Sequence, residues 1–129
     1  VVKENTIDNI FAMIDAINNK RTDAALYEYE KLLANGEADI KTSYMIFRNV
    51  RLLLELKVCD IEKKSEAEKK DLLKISPYEY KKLSNLVHSY SYSFLLKFLN
   101  ELKDLDISLK NTSKDSSMMI KNLIYKMTA

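Results

Sequence analysis

"DIKTSYMIFRNVRLLLELKV", residues 39–58, is the stretch on which the fold turns. Its apolar positions recur with a helical period, and no Gly or Pro interrupts it. On a helical wheel Ser43, Ile46, Phe47, Val50, Leu53, Leu54 and Lys57 share one side. Met45, Leu52 and Leu56 cover an adjacent side, and Tyr44, Arg48, Arg51 and Glu55 remain as a narrow polar stripe. A helix that is apolar around most of its circumference belongs in the middle of a protein. Arg48 and Arg51 have the chemistry to grip phosphate. Glu55, however, lies four residues after Arg51, placed to pair with it and to oppose an anion. The stretch therefore predicts a central helix whose stripe faces water or a partner.

Composition extends this to the whole chain. There is one Gly and one Pro in 129 residues, where ordinary usage gives roughly nine and six. Sheets and hairpins need turn residues, so the chain reads as all-α: one compact helical bundle of six or seven helices. Apolar residues make up 47%, enough for a real core at this length. The length fits one domain, residues 1–129. The net charge of +2 lacks the basic excess of a dedicated DNA-binding domain. A single Gly excludes a Walker A loop. One His (His88) and one Cys (Cys59) exclude a zinc site of the usual kind and any intrachain disulfide. No apolar run reaches membrane-spanning length. No cofactor, metal ligand set or catalytic residue is nominated.

Six further helices follow from periodicity and caps. They are Ile7–Asn18 (Ile7, Ile10, Phe11, Ile14 and Ile17 inward) and Asp23–Ala34 (Ala25, Tyr29, Leu32 and Leu33 inward), the latter stopped by Gly36. Next come Glu66–Lys74, opened by a Ser65/Glu68 capping box, and a helix from Pro77 to His88. In that second case Ser76 caps, Pro77 takes the first turn and Glu79 closes the box. Tyr80, Leu83, Leu86 and Val87 form its apolar side. A sixth helix, capped by Ser91, runs to Lys110 with Tyr92, Leu95, Leu96, Leu99 and Leu102 as its stripe, and a seventh covers Ser116–Met127.

Few residues suggest binding. Asp106 and Lys110 have the spacing of an ion pair. Most of the eight tyrosines fit core positions with the hydroxyl reaching the surface. Tyr27 falls off its helix stripe, hinting at a contact surface. Met118, Met119 and Met127 suggest adaptable packing late in the chain, within it or against a partner, and Tyr125 is expected to contribute to subunit assembly. Residues 65–88 have a helix-turn-helix outline, with Lys81 and Lys82 early in the second helix. A nucleic-acid-binding module is thus the alternative reading, though Glu79 points an acid at the same place.

The order of the motifs carries a resemblance. "NIFAMIDAI" (residues 9–17) is followed by Leu32, Leu33, Gly36 and Glu37 as an "LL-x-x-G-E" stop. Then come "RNVRLLL" (48–54), Pro77-Tyr78 with Lys81, and Asp106, Lys110 and Thr112 as "D-x-x-x-K-x-T". This series resembles the C-terminal domain of the delta subunit of bacterial DNA polymerase III, a sliding-clamp loader component. Asn49 and Val50 depart from the family's usual Gln and aromatic, and the glycines before Pro77 and after Thr112 are missing. The resemblance implies a collar domain: a helical piece, cut from a longer protein with N-terminal ATPase-like modules, that packs beside the collar domains of other loader subunits. It implies a bacterial cytoplasmic setting, clamp contact only through the missing N-terminal region, at most weak or indirect DNA contact, and no catalysis in this piece. Tyr27, Arg48, Arg51, Asp106, Lys110 and Tyr125 are the candidate interface or structural residues.

Overall fold

The computed structural model describes residues 6–111 and 115–129. Thr112, the end of the last resemblance motif, lies outside them. Among the described residues there are seven α-helices: α1 (Thr6–Asn18), α2 (Thr22–Ala34), α3 (Asp39–Ile61), α4 (Glu66–Leu73), α5 (Pro77–Leu86), α6 (Tyr92–Asn111) and α7 (Ser116–Thr128). A 3₁₀ turn, Val87–Ser89, tightens the end of α5. No strand occurs among the described residues. The fold class expected from composition is the one observed.

Helix ends show how a chain with one glycine makes its turns. After α2, Gly36 sits at φ +78°. Its N–H bonds the Leu33 carbonyl, while Glu37 N–H reaches back to Leu32 at 2.9 Å. That double bond closes a Schellman stop. The same pattern ends α1 at Lys20 (φ 60°) and α3 at Lys63 (φ 56°). Lysine takes the left-handed position there at a steric cost of about 1 kcal/mol each. This is why α3 runs on to Ile61, past the Val58 end expected from its apolar pattern.

The chain divides into two compact units: residues 1–46 with 102–129, and residues 47–101. The first holds α1, α2, α7 and the adjoining parts of α3 and α6. Ile10, Met13, Ile17, Ala25, Tyr29, Leu32, Ile46, Leu102, Ile120 and Ile124 are its closed core. The inward face of α1 is rotated from the expected one: Ile7 and Phe11 are exposed, and Met13 and Ala16 are buried in their place. Leu33 is only half-buried. α2 and α7 run antiparallel, because Thr22 Oγ1 donates to Thr128 Oγ1 at 2.6 Å near one end. Toward the other end, Lys121 Nζ meets Glu30 Oε1 at 2.6 Å. At the top of α3, Asp39 joins three helices. Its carboxylate accepts from Tyr29 Oη (α2) at 2.6 Å and from Ser116 Oγ (α7).

The second unit holds the rest of α3, then α4, α5, the 3₁₀ turn and the start of α6. Val50, Leu52, Leu53, Leu56, Cys59, Leu73, Tyr80, Leu83, Val87, Leu95 and Phe98 close its core. α3 is buried around most of its girth, as its sequence requires. Ser91 Oγ accepts from Phe94 N–H at 3.1 Å and so caps α6 as expected. The α6 stripe differs, however. Tyr92 and Leu96 are exposed, while Phe98 is buried in a row with Phe94 and Tyr90. A stacked Tyr90–Phe94 pair and a tilted Phe94–Phe98 pair, with centroids 5.5 and 4.6 Å apart, turn the helix toward its larger rings.

The two expected caps on either side of residue 75 have different fates. At α4 the box is complete: Ser65 N–H bonds Glu68 Oε1 at 3.0 Å, and Glu68 N–H bonds Ser65 Oγ at 3.2 Å. At α5, Ser76 Oγ accepts from Glu79 N–H, but the Glu79 carboxylate does not close the box. It is held by Arg48 instead.

The α4 cap makes α4 sensitive to acid. Its bonds at Ser65, the backbone one above all, hold the Glu68 carboxyl below the usual range. With the folded value lowered, the cap's contribution is whole above the ordinary glutamate value and is lost as pH falls through the depressed one. Amide protection in the first turn of α4 should stay level from neutral pH to about pH 4.3 and decline below it. Glu68→Gln keeps the reciprocal bond without the titration and should flatten the decline. An equal decline in that variant would sink the assignment.

Candidate subunit interface

The candidate residues are divided between the two units: Tyr27, Asp106, Lys110 and Tyr125 belong to the first, Arg48 and Arg51 to the second. Arg48 Nη1 and Nη2 reach Glu79 Oε2 and Oε1 at 2.6 and 3.0 Å, a two-pronged bridge from α3 to α5. Both side chains are about a quarter exposed, 26% and 24%, so the pair is largely shielded within its unit. Arg51 Nη1 pairs with Glu55 at 3.0 Å on its own helix, as spacing predicted. Lys110 pairs with Asp106 at 2.9 Å, with both side chains open to water. Such an exposed pair contributes little to stability.

Tyr27 and Tyr125 behave differently. Tyr27 on α2 is 61% exposed and Tyr125 on α7 is 55% exposed. Five of the eight tyrosines are in fact surface residues (27, 44, 78, 92 and 125), which corrects the expectation that most lie in the core. Helix geometry places two of them together. Tyr27 is three residues before Glu30, Tyr125 is four after Lys121, and Glu30 and Lys121 are bonded. Residues three or four apart share a helix face, and α2 and α7 are antiparallel. Both tyrosines therefore flank the same end of the Glu30–Lys121 bridge. By the same geometry, exposed Ala34 and Met118 (55%) flank its other end. Lys31 Nζ sits 4.6 Å over the Tyr27 ring and holds it on the surface. The bond to Glu30, above all, holds the Lys121 ammonium above the usual lysine range.

Sequence reasoning picked both tyrosines but not their adjacency. Only the Thr22–Thr128 and Glu30–Lys121 contacts reveal it, and they join residues about ninety or more positions apart. The signal available beforehand was charge. Thr22–Ala34 carries three acids and one lysine, while Ser116–Thr128 carries two lysines and no acid.

The second unit has a cavity of about 280 Å³ lined by Asp60, Glu66, Lys69, Tyr80, Ser84, Val87 and His88. Lys69 is bonded to Asp60, which is the main reason its ammonium is held above the usual range. It is thus a cation in a bridge and a poor base. Ser84 Oγ is shielded and unbonded, so no Ser–His pair forms there. The Cys59 thiol is buried, and that burial raises its pKa, the opposite of an activated nucleophile. Among the described residues, no group of three or more His, Cys, Asp or Glu could hold a metal ion, and no helix is long and apolar enough to cross a membrane.

Comparison with known proteins matches residues 7–127 to the family model "DNA polymerase III delta subunit, C-terminal domain". A curated relative, DNA polymerase III subunit delta of Bacillus subtilis (strain 168), is 24% identical over 119 residues. The alignment takes in 92% of this chain and 34% of the relative, so the chain spans about a third of that protein's length. Among solved structures, the Bacillus subtilis DNA clamp loader delta protein (YqeN) superposes with a TM-score of 0.85 at 23% identity. That match covers 99% of this chain and 38% of the other. At this identity the likeness establishes the fold.

Proposed function

Because the chain belongs to the family of C-terminal domains of the DNA polymerase III delta subunit, we propose that it is the collar domain of a clamp loader. In this reading it packs beside the corresponding helical domains of the other loader subunits. It holds the complex together while the sliding clamp is loaded on primed DNA in the bacterial cytoplasm. The observation that carries the reading is the family match over residues 7–127. The chemistry agrees with it: several charged groups form intrachain bridges, and Tyr27 and Tyr125 are exposed aromatics of the kind that protein partners use. Clamp opening and any ATPase-like module belong, in this reading, to the other two thirds of the full-length subunit. Here the domain contributes binding surface and rigidity.

The test is reconstitution. Mixed with the other loader subunits, the folded chain should co-elute with their C-terminal domains in size-exclusion chromatography, without nucleotide or DNA. A sample with intact helical circular dichroism that elutes alone at every concentration overturns the reading.

A further inference from the structure

We propose that the α2–α7 face is the docking surface for a neighbouring loader subunit, and that its partner is a helical surface with the reverse charge pattern. That partner places a basic helix against α2 and an acidic one against α7. The proposal rests on the collar reading and adds to it the face and the chemistry of the partner.

The composition of the face is the first argument. Tyr27, Tyr125 and Met118 are exposed around a bridge that is already satisfied. Exposed tyrosine and methionine are what interface cores are enriched in. Two rigid rings at one end of a fixed ion pair form an anchor with little conformational freedom left to lose. The Tyr27 ring is further held by Lys31.

Charge is the second argument. The seam between α2 and α7 divides a helix with three acids and one lysine from a helix with two lysines and no acid. Asp23 and Glu30 are exposed on one side of it, and Lys126 is exposed on the other. A partner of uniform charge would be attracted by one helix and repelled by the other. Only a partner with the opposite split meets both favourably, and such complementarity fixes register as well as steering approach. The two helices are tied by the Thr22–Thr128 and Glu30–Lys121 contacts, and the turn before α2 is tied to α7 by Lys20 Nζ on the Met127 carbonyl. The pattern is therefore presented as one surface.

The test uses the chain mixed with the other clamp-loader subunits, with binding read by titration. Two variants separate the arguments. Tyr27→Ala with Tyr125→Ala removes the anchor. Glu30→Lys with Lys121→Glu keeps an ion pair at the seam but erases the charge split. Each should weaken binding by on the order of tenfold or more, with circular dichroism and Tm close to those of the parent chain. The charge swap should also flatten the salt dependence of association. If the parent chain binds and both variants bind equally well, the face is wrong and the collar reading stands. If the folded parent chain binds no loader subunit, the collar reading fails and the docking proposal falls with it. If the same variants abolish only self-association, leaving binding to the other subunits intact, the face serves a second copy and the proposal is overturned.

Discussion

Tyr29→Ala should destabilise the chain by about 3–5 kcal/mol, and Tyr29→Phe by about 1–3 kcal/mol. Tyr29 is fully buried, and its ring is one of the largest closed off in the first unit's core. Removing it leaves a cavity that closely packed helices do not refill. Phe restores the ring but not the hydroxyl, so the smaller figure isolates the 2.6 Å bond to Asp39. Burial, and next the bond to Asp39, push the Tyr29 hydroxyl well above the ordinary tyrosine range. It thus stays a donor at neutral pH and well into the alkaline range. Chemical denaturation of the three proteins checks the ranking. If Tyr29→Phe is as stable as the parent, Asp39 is not the tie between α2, α3 and α7 that the geometry makes it. Serine at position 116 can keep its own bond to Asp39 in both variants, so its loss is a separate measurement.

Arg48→Ala should cost about 1–3 kcal/mol, with Glu79→Ala close to it. The pair makes two charge-assisted bonds, and each side chain is only about a quarter exposed. Truncating one partner strands the other charge where water reaches it poorly. The cap at Ser76 is made to the backbone N–H of residue 79. Glu79→Ala therefore leaves the start of α5 capped, and its cost belongs to the bridge. Arg48→Lys keeps the charge but loses the fork, and should fall between. The decisive measurement is the double-mutant cycle. The double alanine variant should be markedly more stable than the sum of the single losses implies, because the second truncation removes a charge already stranded. Strict additivity would mean that the bridge contributes nothing of its own. Arg51→Ala should show little effect by comparison, since its pair with Glu55 is more exposed and lies within one helix.

Much of this protein was legible in order along the chain. The lone glycine and proline excluded sheets, and a twenty-residue apolar stretch without either required a buried helix. Ser65 and Ser76 marked the starts of α4 and α5. Gly36 marked the end of α2, and Arg51 with Glu55 and Lys110 with Asp106 paired at the spacing a helix imposes. All of these are decided within one or two turns, where residue type and backbone geometry suffice. The end of α1 at Asn18 was legible, but that of α3 was not, because lysine rarely announces a left-handed stop. The inward faces of α1 and α6 were misread because Ile7, Phe11, Tyr92 and Leu96 are apolar yet exposed. Periodicity gives a helix its apolar side only to within a residue or so, and the neighbouring helix settles the rest.

Glu79 shows the boundary most plainly. By sequence it closes a capping box, with its own helix start three residues away. In the fold the guanidinium of Arg48, 31 positions distant, offers it two charged donors, and a charge-assisted pair outcompetes a single backbone N–H. Tyr27 and Tyr125 show it again. The sequence placed Tyr27 off its helix stripe and made Tyr125 a candidate contact. Only the antiparallel pairing of α2 with α7 decided that they would lie at one end of one bridge. Local chemistry fixes helices and their caps because its partners are chain neighbours. Surfaces and ion pairs between helices depend on packing, which brings together residues the chain keeps far apart.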